Sequence, residues 1–197
     1  MKIRTIALFI SALLSTHVFS QIEEETKPKA FLGINSGINH IGGMFGIHGE
    51  VNVVNNFSVI GSAGLGGWGT KASIGIKYNR NYPYGTHFIL TYSSASGIKD
   101  FKLDVETEAN DETMNQGGTQ EVTFDLKTAR NINLIVGYSW KLFQRSRFNL
   151  DFGYSVPMQD KAYAVISDHV LTKDSDTMMG IMTPGGLILG LGFSFSL

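Results

Sequence analysis

Large apolar residues alternate with small or polar residues along several segments of the chain, most regularly in the last one. Over residues 187–197 every second side chain is large and apolar, and the positions between them carry Ile188, two Gly, two Ser and no charge. Since successive side chains of a strand point to opposite faces, this segment predicts a strand with one wholly apolar face. Residues 132–142 and 148–156 repeat the pattern.

The same period-two alternation, in weaker form, predicts further strands and brings the total to eight. These five strands cover residues 30–39, 45–53, 57–66, 71–78 and 86–94. After Ala30 no segment has the i, i+3, i+4, i+7 apolar spacing of an amphipathic helix, and no later apolar run reaches the ~18 residues of a spanning helix. The pattern therefore predicts an all-β protein without membrane-spanning helices.

The first 29 residues differ from the rest of the chain. Residues 1–20 begin with Lys2 and Arg4, continue with an apolar stretch over residues 6–14, and end in Val-Phe-Ser before Gln21. This order is typical of a cleaved secretory signal peptide, and the apolar stretch is shorter than the ~20 residues that a membrane anchor needs. Residues 21–29 are charged and aperiodic, and we interpret them as a flexible periplasmic lead to a domain over residues 30–197.

Alternation alone also fits a soluble sandwich, so the lengths of the predicted connections matter. If the N-terminus lies in the periplasm, the connections on that side, at residues 54–56, 79–85 and 143–147, are all short. The opposite side has two short connections, at residues 40–43 and 66–69, and two long ones, at about 95–120 and 158–184. Short periplasmic turns with longer external loops are typical of outer-membrane barrels.

Aromatic residues and the C-terminal segment favour a lipid-facing barrel as well. The aromatic residues lie toward both ends of the predicted strands. Outer-membrane barrels have such girdles of aromatic residues at the level of the lipid head groups. Phe193 and Phe195 alternate in a terminal strand similar to the C-terminal signal of outer-membrane barrels, although that signal usually ends in Phe or Trp and this chain ends in Leu197. Residues 30–197 thus resemble the family of small eight-stranded bacterial outer-membrane barrels. The resemblance implies an eight-stranded antiparallel up-and-down transmembrane β-barrel in the bacterial outer membrane.

The interior of such a barrel is just wide enough to be filled by side chains, so we expect no open pore. Strand parity directs a set of polar residues inward, and we expect Glu50 and Asp151 to pair with some of the lysines, because a buried charge left alone is costly. We interpret the set as a structural polar plug, with a proton or ion path or a catalytic site as the alternative. The predicted interior residues are His48, Glu50, Lys71, Lys77, Lys141, Asn149 and Asp151.

Residues 97–127 are predicted to continue above the membrane as a protruding hairpin with an acidic tip. The tip contains Asp104, Glu106, Glu108, Asp111 and Glu112. A solvated loop explains this charge, and contact with a divalent cation or a surface protein is the functional alternative. The alternating edge of the hairpin could also accept a strand of another protein.

Composition narrows the chemistry further. The chain has no Cys, which excludes disulfides, a lipid-modified N-terminal Cys and Cys-based metal sites, and its histidines are scattered singly. Charged residues make up 17% of the chain with a net charge of −1, so no nucleic-acid partner is indicated. We predict no cofactor and no metal site, and outer-membrane lipids as the main partner.

The sequence thus favours a non-enzymatic barrel that contributes to envelope integrity or surface interaction through its two long external loops. One alternative is an outer-membrane lipid-modifying enzyme, which would need a Ser nucleophile and a positioned His, and we find no such motif. The other is a secreted lipocalin-like barrel with its large apolar side chains inside around a small ligand. That reading requires the uncharged Gly and Ser face of residues 186–196 to face water.

Overall fold

The described residues form eleven strands and one short helix. A computed structural model describes residues 28–109, 117–167 and 169–197. The elements are β1 (Ala30–Ile38), β2 (Phe45–Val54), β3 (Phe57–Gly66), β4 (Gly69–Asn81), β5 (Tyr84–Ala95), β6 (Ile98–Thr107), β7 (Gly118–Leu126), β8 (Ala129–Phe143), β9 (Ser146–Pro157), β10 (Tyr163–Val165), α1 (Lys173–Met182) and β11 (Gly186–Ser196). The proposed signal peptide and most of the lead lie outside the described residues.

Eight of these strands form a closed antiparallel barrel. The order around the barrel is β1, β2, β3, β4, β5, β8, β9 and β11, and β11 returns to pair with β1. Phe31 pairs with Ser196 and Ile38 with Leu189, so the first and last strands close the sheet along almost their whole length. The predicted all-β fold with a closed eight-stranded antiparallel barrel is confirmed.

The two ends of the barrel differ as the sequence predicts. Turns of two residues, at 55–56, 82–83 and 144–145, join strands at one end, which we call the short-turn end. The other end, called the long-loop end, carries residues 39–44 and 67–68 and two excursions, 96–128 and 158–185. Residues 39–44 fold back into the barrel, where His40 and Ile41 are buried.

The two long excursions build a cap over the long-loop end. The cap consists of β6, β7, β10 and α1, and its strands form a separate three-stranded sheet in the order β10, β7, β6. Its apolar core centres on Val122, Phe124 and Met179, each 0% exposed, and includes Trp68, which lies at the barrel end. The Trp68 indole Nε1 donates a hydrogen bond to the Lys127 carbonyl oxygen at 2.9 Å.

The hairpin predicted over residues 97–127 is present as β6 and β7, and the structure adds one short helix, α1, which the sequence pattern does not predict. In α1 only Ser175 and Met179 are buried, so the helix has a single apolar anchor instead of an apolar stripe. Its N-terminus is set locally, because the Thr172 side chain accepts a hydrogen bond from the Ser175 amide. A helix held in this way leaves little periodicity in the sequence.

Candidate functional site

The barrel interior contains two buried carboxylates, and the first of them, Glu50 on β2, binds two cations. Lys77 Nζ on β4 lies 3.0 Å from Glu50 Oε2, and the Arg147 guanidinium on β9 donates to both oxygens of the same carboxylate. Arg147 also donates to Ser194 Oγ at 3.0 Å and lies over the Phe31 ring, with its Cζ 3.8 Å from the ring centroid. Arg147 is 0% exposed, so its side chain and these contacts fill the barrel interior near the short-turn end.

The second carboxylate, Asp151 on β9, lies between two histidines. Asp151 Oδ2 is 2.9 Å from His40 Nε2, and Asp151 Oδ1 is 2.7 Å from His87 Nε2. On its other side His87 Nδ1 lies 3.0 Å from Ser139 Oγ, which donates to Asn149 Oδ1 at 2.6 Å. In the described part of the chain, the Asp151 carboxylate is therefore held by two imidazoles, and no lysine forms an ion pair with it.

Ser139, His87 and Asp151 have the connectivity of a nucleophile, base and orienting acid. Ser139 is, however, only 1% exposed. The cavity beside Asp151, which His40 and Glu50 also line, has a volume of about 10 Å³, room for at most one water molecule. The arrangement can fix protons and charges, but the Ser139 hydroxyl is buried and Ser139 does not line the cavity beside Asp151.

Five isoleucines form an apolar layer inside the otherwise polar barrel. They are Ile41, Ile60, Ile89, Ile135 and Ile188. Together with the two carboxylate clusters they fill the narrow lumen, as expected for a barrel of eight strands. The interior is thus packed and hydrogen-bonded, and it resembles a plug.

Most of the predicted interior residues are buried as expected, but two expectations about them are wrong. His48, Glu50, Lys71, Lys77, Asn149 and Asp151 all lie inside the barrel. Lys141 is exposed, because it stands at the last rung of β8 before a register shift and its long side chain extends out toward the Tyr84 ring. The expected pairing of Asp151 with a lysine is replaced by its contacts with His40 and His87.

Three functional side chains of this network escaped the sequence reasoning. Arg147 falls in the connection predicted over residues 143–147, although it shares strand parity with Asn149 and Asp151, and that parity points it inward. His87 lies on the loosely alternating β5. His40 belongs to a loop, and its place depends on Gly190: a Cβ there would lie 2.1 Å from His40 Cδ2. No local pattern predicts that a loop side chain occupies the space above a glycine.

The acidic residues of the cap are exposed where the structure describes them. Asp104 and Glu106 lie on the side of β6 that faces away from the cap core, Glu108 is exposed just after β6, and Asp111 and Glu112 lie outside the described residues. Lys102 Nζ pairs with Glu121 Oε1 at 2.7 Å, and this contact raises the pKa of Lys102 above its ordinary value. In the described part of the chain, no group of three or more His, Cys, Asp or Glu side chains could hold a metal ion.

A second polar cluster fastens α1 to the segment that precedes β10. Lys161 Nζ and the Tyr163 hydroxyl donate to Asp176 Oδ1 at 2.6 Å and 2.7 Å. These hydrogen bonds, that of Lys161 first, lower the pKa of Asp176 below its ordinary value. Burial, assisted by the bond to Asp176, raises the pKa of Tyr163.

The edges of the cap sheet are partly covered by its own chain. β10 pairs with the end of β7, while Thr107 at the end of β6 bridges to Leu171. The Glu108 amide donates to the Val170 carbonyl at 2.9 Å. The outer edge of β6 is thus occupied near its end, while β6 and β10 remain the two edge strands of the cap sheet.

The fold and site together define a class: a closed eight-stranded antiparallel barrel with a polar plug and a structured cap at one end. No known protein family matches the chain, and no curated protein matches it either. Among the described residues no helix is long and apolar enough to cross a membrane.

Proposed function

We propose that this protein is a non-enzymatic integral barrel of the bacterial outer membrane that contributes to envelope integrity or surface interaction through its cap. The observation that carries the proposal is the chemistry of the outer face. Ile34, Phe45 and Leu187 are 63%, 69% and 77% exposed, and large apolar side chains continue around all eight barrel strands. A continuous apolar surface of this kind is stable in lipid and unfavourable in water.

The distribution of charge on that face supports the same proposal. Among the exposed residues of the eight barrel strands, the charged ones are Arg80, Arg130 and Lys141, and all three lie near strand ends. An arginine at the bilayer midplane would cost about 2–4 kcal/mol, whereas one near an interface costs little. Ten strand residues at about 3.3 Å each, tilted near 40°, cover the roughly 25 Å apolar band of the outer membrane.

The interior argues against the alternatives. A lipocalin-like barrel needs an apolar lumen for its ligand, and this lumen is filled by ion pairs, hydrogen bonds and one layer of isoleucines. An enzyme that uses Ser139 needs an opening to that hydroxyl, and the cavity beside the network holds about 10 Å³. The cap, with its own apolar core and its exposed acidic face, remains the part that is free to contact a surface protein or a divalent cation.

The proposal is tested by fractionating cells and comparing boiled with unboiled samples in detergent gels. We expect the mature chain in the outer-membrane fraction and a clear shift in mobility on boiling, because a closed barrel resists the detergent until it is heated. Leu189→Glu, which places a charge on the outward face of β11, should reduce membrane recovery, and Glu106→Gln on the cap should not. A soluble protein whose mobility is unchanged by boiling would overturn the proposal.

A further inference from the structure

A cleft of about 440 Å³ lies at the long-loop end of the barrel, outside the polar plug. Its walls come from residues 36–39 and 43–45, the connection 66–69 and the end of α1, and its larger side chains are apolar: Met44, Phe45, Trp68 and Met182. A volume of this size lies within the range of small-molecule sites. The cleft therefore has the dimensions and the lining of a site for an apolar ligand.

Lys71 gives the cleft its one charge, since it alone is charged among the described residues that line it. The residue is buried, with 7% of its surface exposed, and its ammonium donates to the Asn39 carbonyl at 2.9 Å. An ammonium has three donors, and within the described residues Lys71 forms no ion pair with a carboxylate. By contrast, Lys77 deeper in the barrel contacts Glu50. Lys71 thus presents a buried positive charge that lacks a counter-ion.

The cleft is continuous with the outer face of the barrel. Ile38, Met44 and Phe45 line it and are also 65%, 54% and 69% exposed. In a membrane these side chains face the lipid, so an alkyl chain can enter from the side. This step depends on the proposed membrane location.

We propose that the cleft binds a single-chain fatty acid, with its carboxylate on Lys71 and its alkyl chain along Met44, Phe45 and Trp68. A carboxylate supplies the missing counter-ion, and charge-assisted hydrogen bonds to an ammonium are the strong ones. One alkyl chain suits the volume and the apolar lining. The inference goes beyond the proposed envelope role, since it gives the cap end of the barrel a ligand.

Trp68 provides a direct probe of occupancy. The chain has two tryptophans, so Trp140→Phe leaves Trp68 as the only one, and bromine on an acyl chain quenches a tryptophan that it contacts. The barrel with this substitution is placed in phosphatidylcholine nanodiscs and titrated with dibromostearate. We expect saturable quenching of Trp68, and about thirtyfold or more weaker binding for Lys71→Met, which removes the charge but keeps the length.

A second variant tests the volume of the cleft instead of its charge. A Cβ at Gly67 would meet nothing within 4 Å, so Gly67→Leu can enter the cleft without a clash at its Cβ and should abolish the quenching. Gly180→Leu, at another glycine with open space, and Lys102→Met, at an exposed cation of the cap, are matched controls that should bind normally. The methyl ester of the same acid should bind as weakly as the acid binds to Lys71→Met.

Three results would overturn the inference: quenching that does not saturate, quenching that neither Lys71→Met nor Gly67→Leu changes, or equal quenching by brominated phosphatidylcholine alone. The last would indicate that a membrane lipid occupies the cleft. The heat-dependent mobility of each variant is measured in parallel. A barrel that inserts and shifts but does not bind contradicts the fatty-acid site only, whereas a chain that does not insert contradicts the proposed membrane location.

Discussion

Glu50 shows how a single residue can hold the interior of the barrel together. Its carboxylate is the shared partner of Lys77 and Arg147, and all three side chains are at most 2% exposed. Removing one member of a buried ion pair leaves an uncompensated charge, which typically costs about 3–5 kcal/mol. At this position the loss would leave two cations side by side.

We therefore predict that Glu50→Gln lowers the free energy of unfolding by at least about 3 kcal/mol. The measurement is the urea midpoint of the heat-resistant gel band after refolding into vesicles. Glu106→Gln, at an exposed acid of the cap, is the control and should change stability by less than about 0.5 kcal/mol. Adding Lys77→Met to Glu50→Gln should recover part of the loss, and equal midpoints for the two Glu variants would contradict the role assigned to Glu50.

Gly190 offers a second test at the scale of a residue. Its missing side chain makes room for the His40 ring, and a Cβ there would lie 2.1 Å from His40 Cδ2. Gly190→Ala should therefore push His40 away from Asp151 and cost about 1–3 kcal/mol, as overpacking usually does. Gly49→Ala, where a Cβ meets nothing within 4 Å, is the control.

The double variant Gly190→Ala, His40→Ala tests whether the loss of stability in Gly190→Ala arises from the clash with His40. If the cost arises from the clash with His40, Gly190→Ala should be far less damaging when His40 is already Ala, in the same urea measurement. An unchanged cost in the two backgrounds would contradict the role of Gly190 as space for the histidine.

At the scale of elements, the barrel strands could be predicted from the sequence and the cap helix could not. Along its whole length a barrel strand turns one face to the polar interior and the other to the outside of the barrel. Alternating residue types therefore predict such a strand from the sequence, as in β11. The helix α1 buries Met179 as its only apolar anchor and is fastened by polar contacts of Asp176, which leave no periodic trace. The polar network could be predicted only in part, for the same reason. Strand parity predicts that Glu50 and Asp151 point inward, but it says nothing about a loop residue such as His40.

The contacts of Asp176 predict how the cap responds to pH. Because Lys161 and Tyr163 hydrogen-bond its carboxylate, the pKa of Asp176 is lower in the folded cap than in the unfolded chain. Its contribution to stability is therefore present above its ordinary pKa of about 3.9 and is lost as the pH falls through the folded-state pKa. Since Asp176 and Lys161 are half exposed, this contribution to stability is small. Its loss at low pH should open the cap locally without unfolding the barrel.

We expect limited proteolysis of the cap by an acid-active protease to accelerate as the pH is lowered from about 6 to 3. Asp176→Asn should open faster at pH 6 and lose much of this pH dependence, while Asp160→Asn, at a neighbouring acid with no such pair among the described contacts, should behave like the unchanged protein. The same pH dependence in both variants would show that Asp176 does not fasten α1.

At the scale of the whole molecule, the barrel and the cap are separable by topology. Ala95 at the end of β5 pairs directly with Ala129 at the start of β8, and Ser155 on β9 pairs with Gly186 on β11. The barrel ladder is therefore complete without the two excursions that build the cap. The plug of Glu50 and Asp151 also lies below the cap and belongs to the barrel.

Short turns in place of residues 97–127 and 159–184 should accordingly leave a barrel that still inserts and still shifts in mobility on boiling. If the cap carries the surface role, cells with the trimmed barrel should show the same envelope permeability and surface binding as cells that lack the protein. Cells with Asp104→Asn, Glu106→Gln and Glu108→Gln in the full-length chain then report whether the acidic face is the part that binds. A trimmed barrel that inserts and supports normal permeability and binding would place the function in the barrel wall, because the wall and its plug are all that remains.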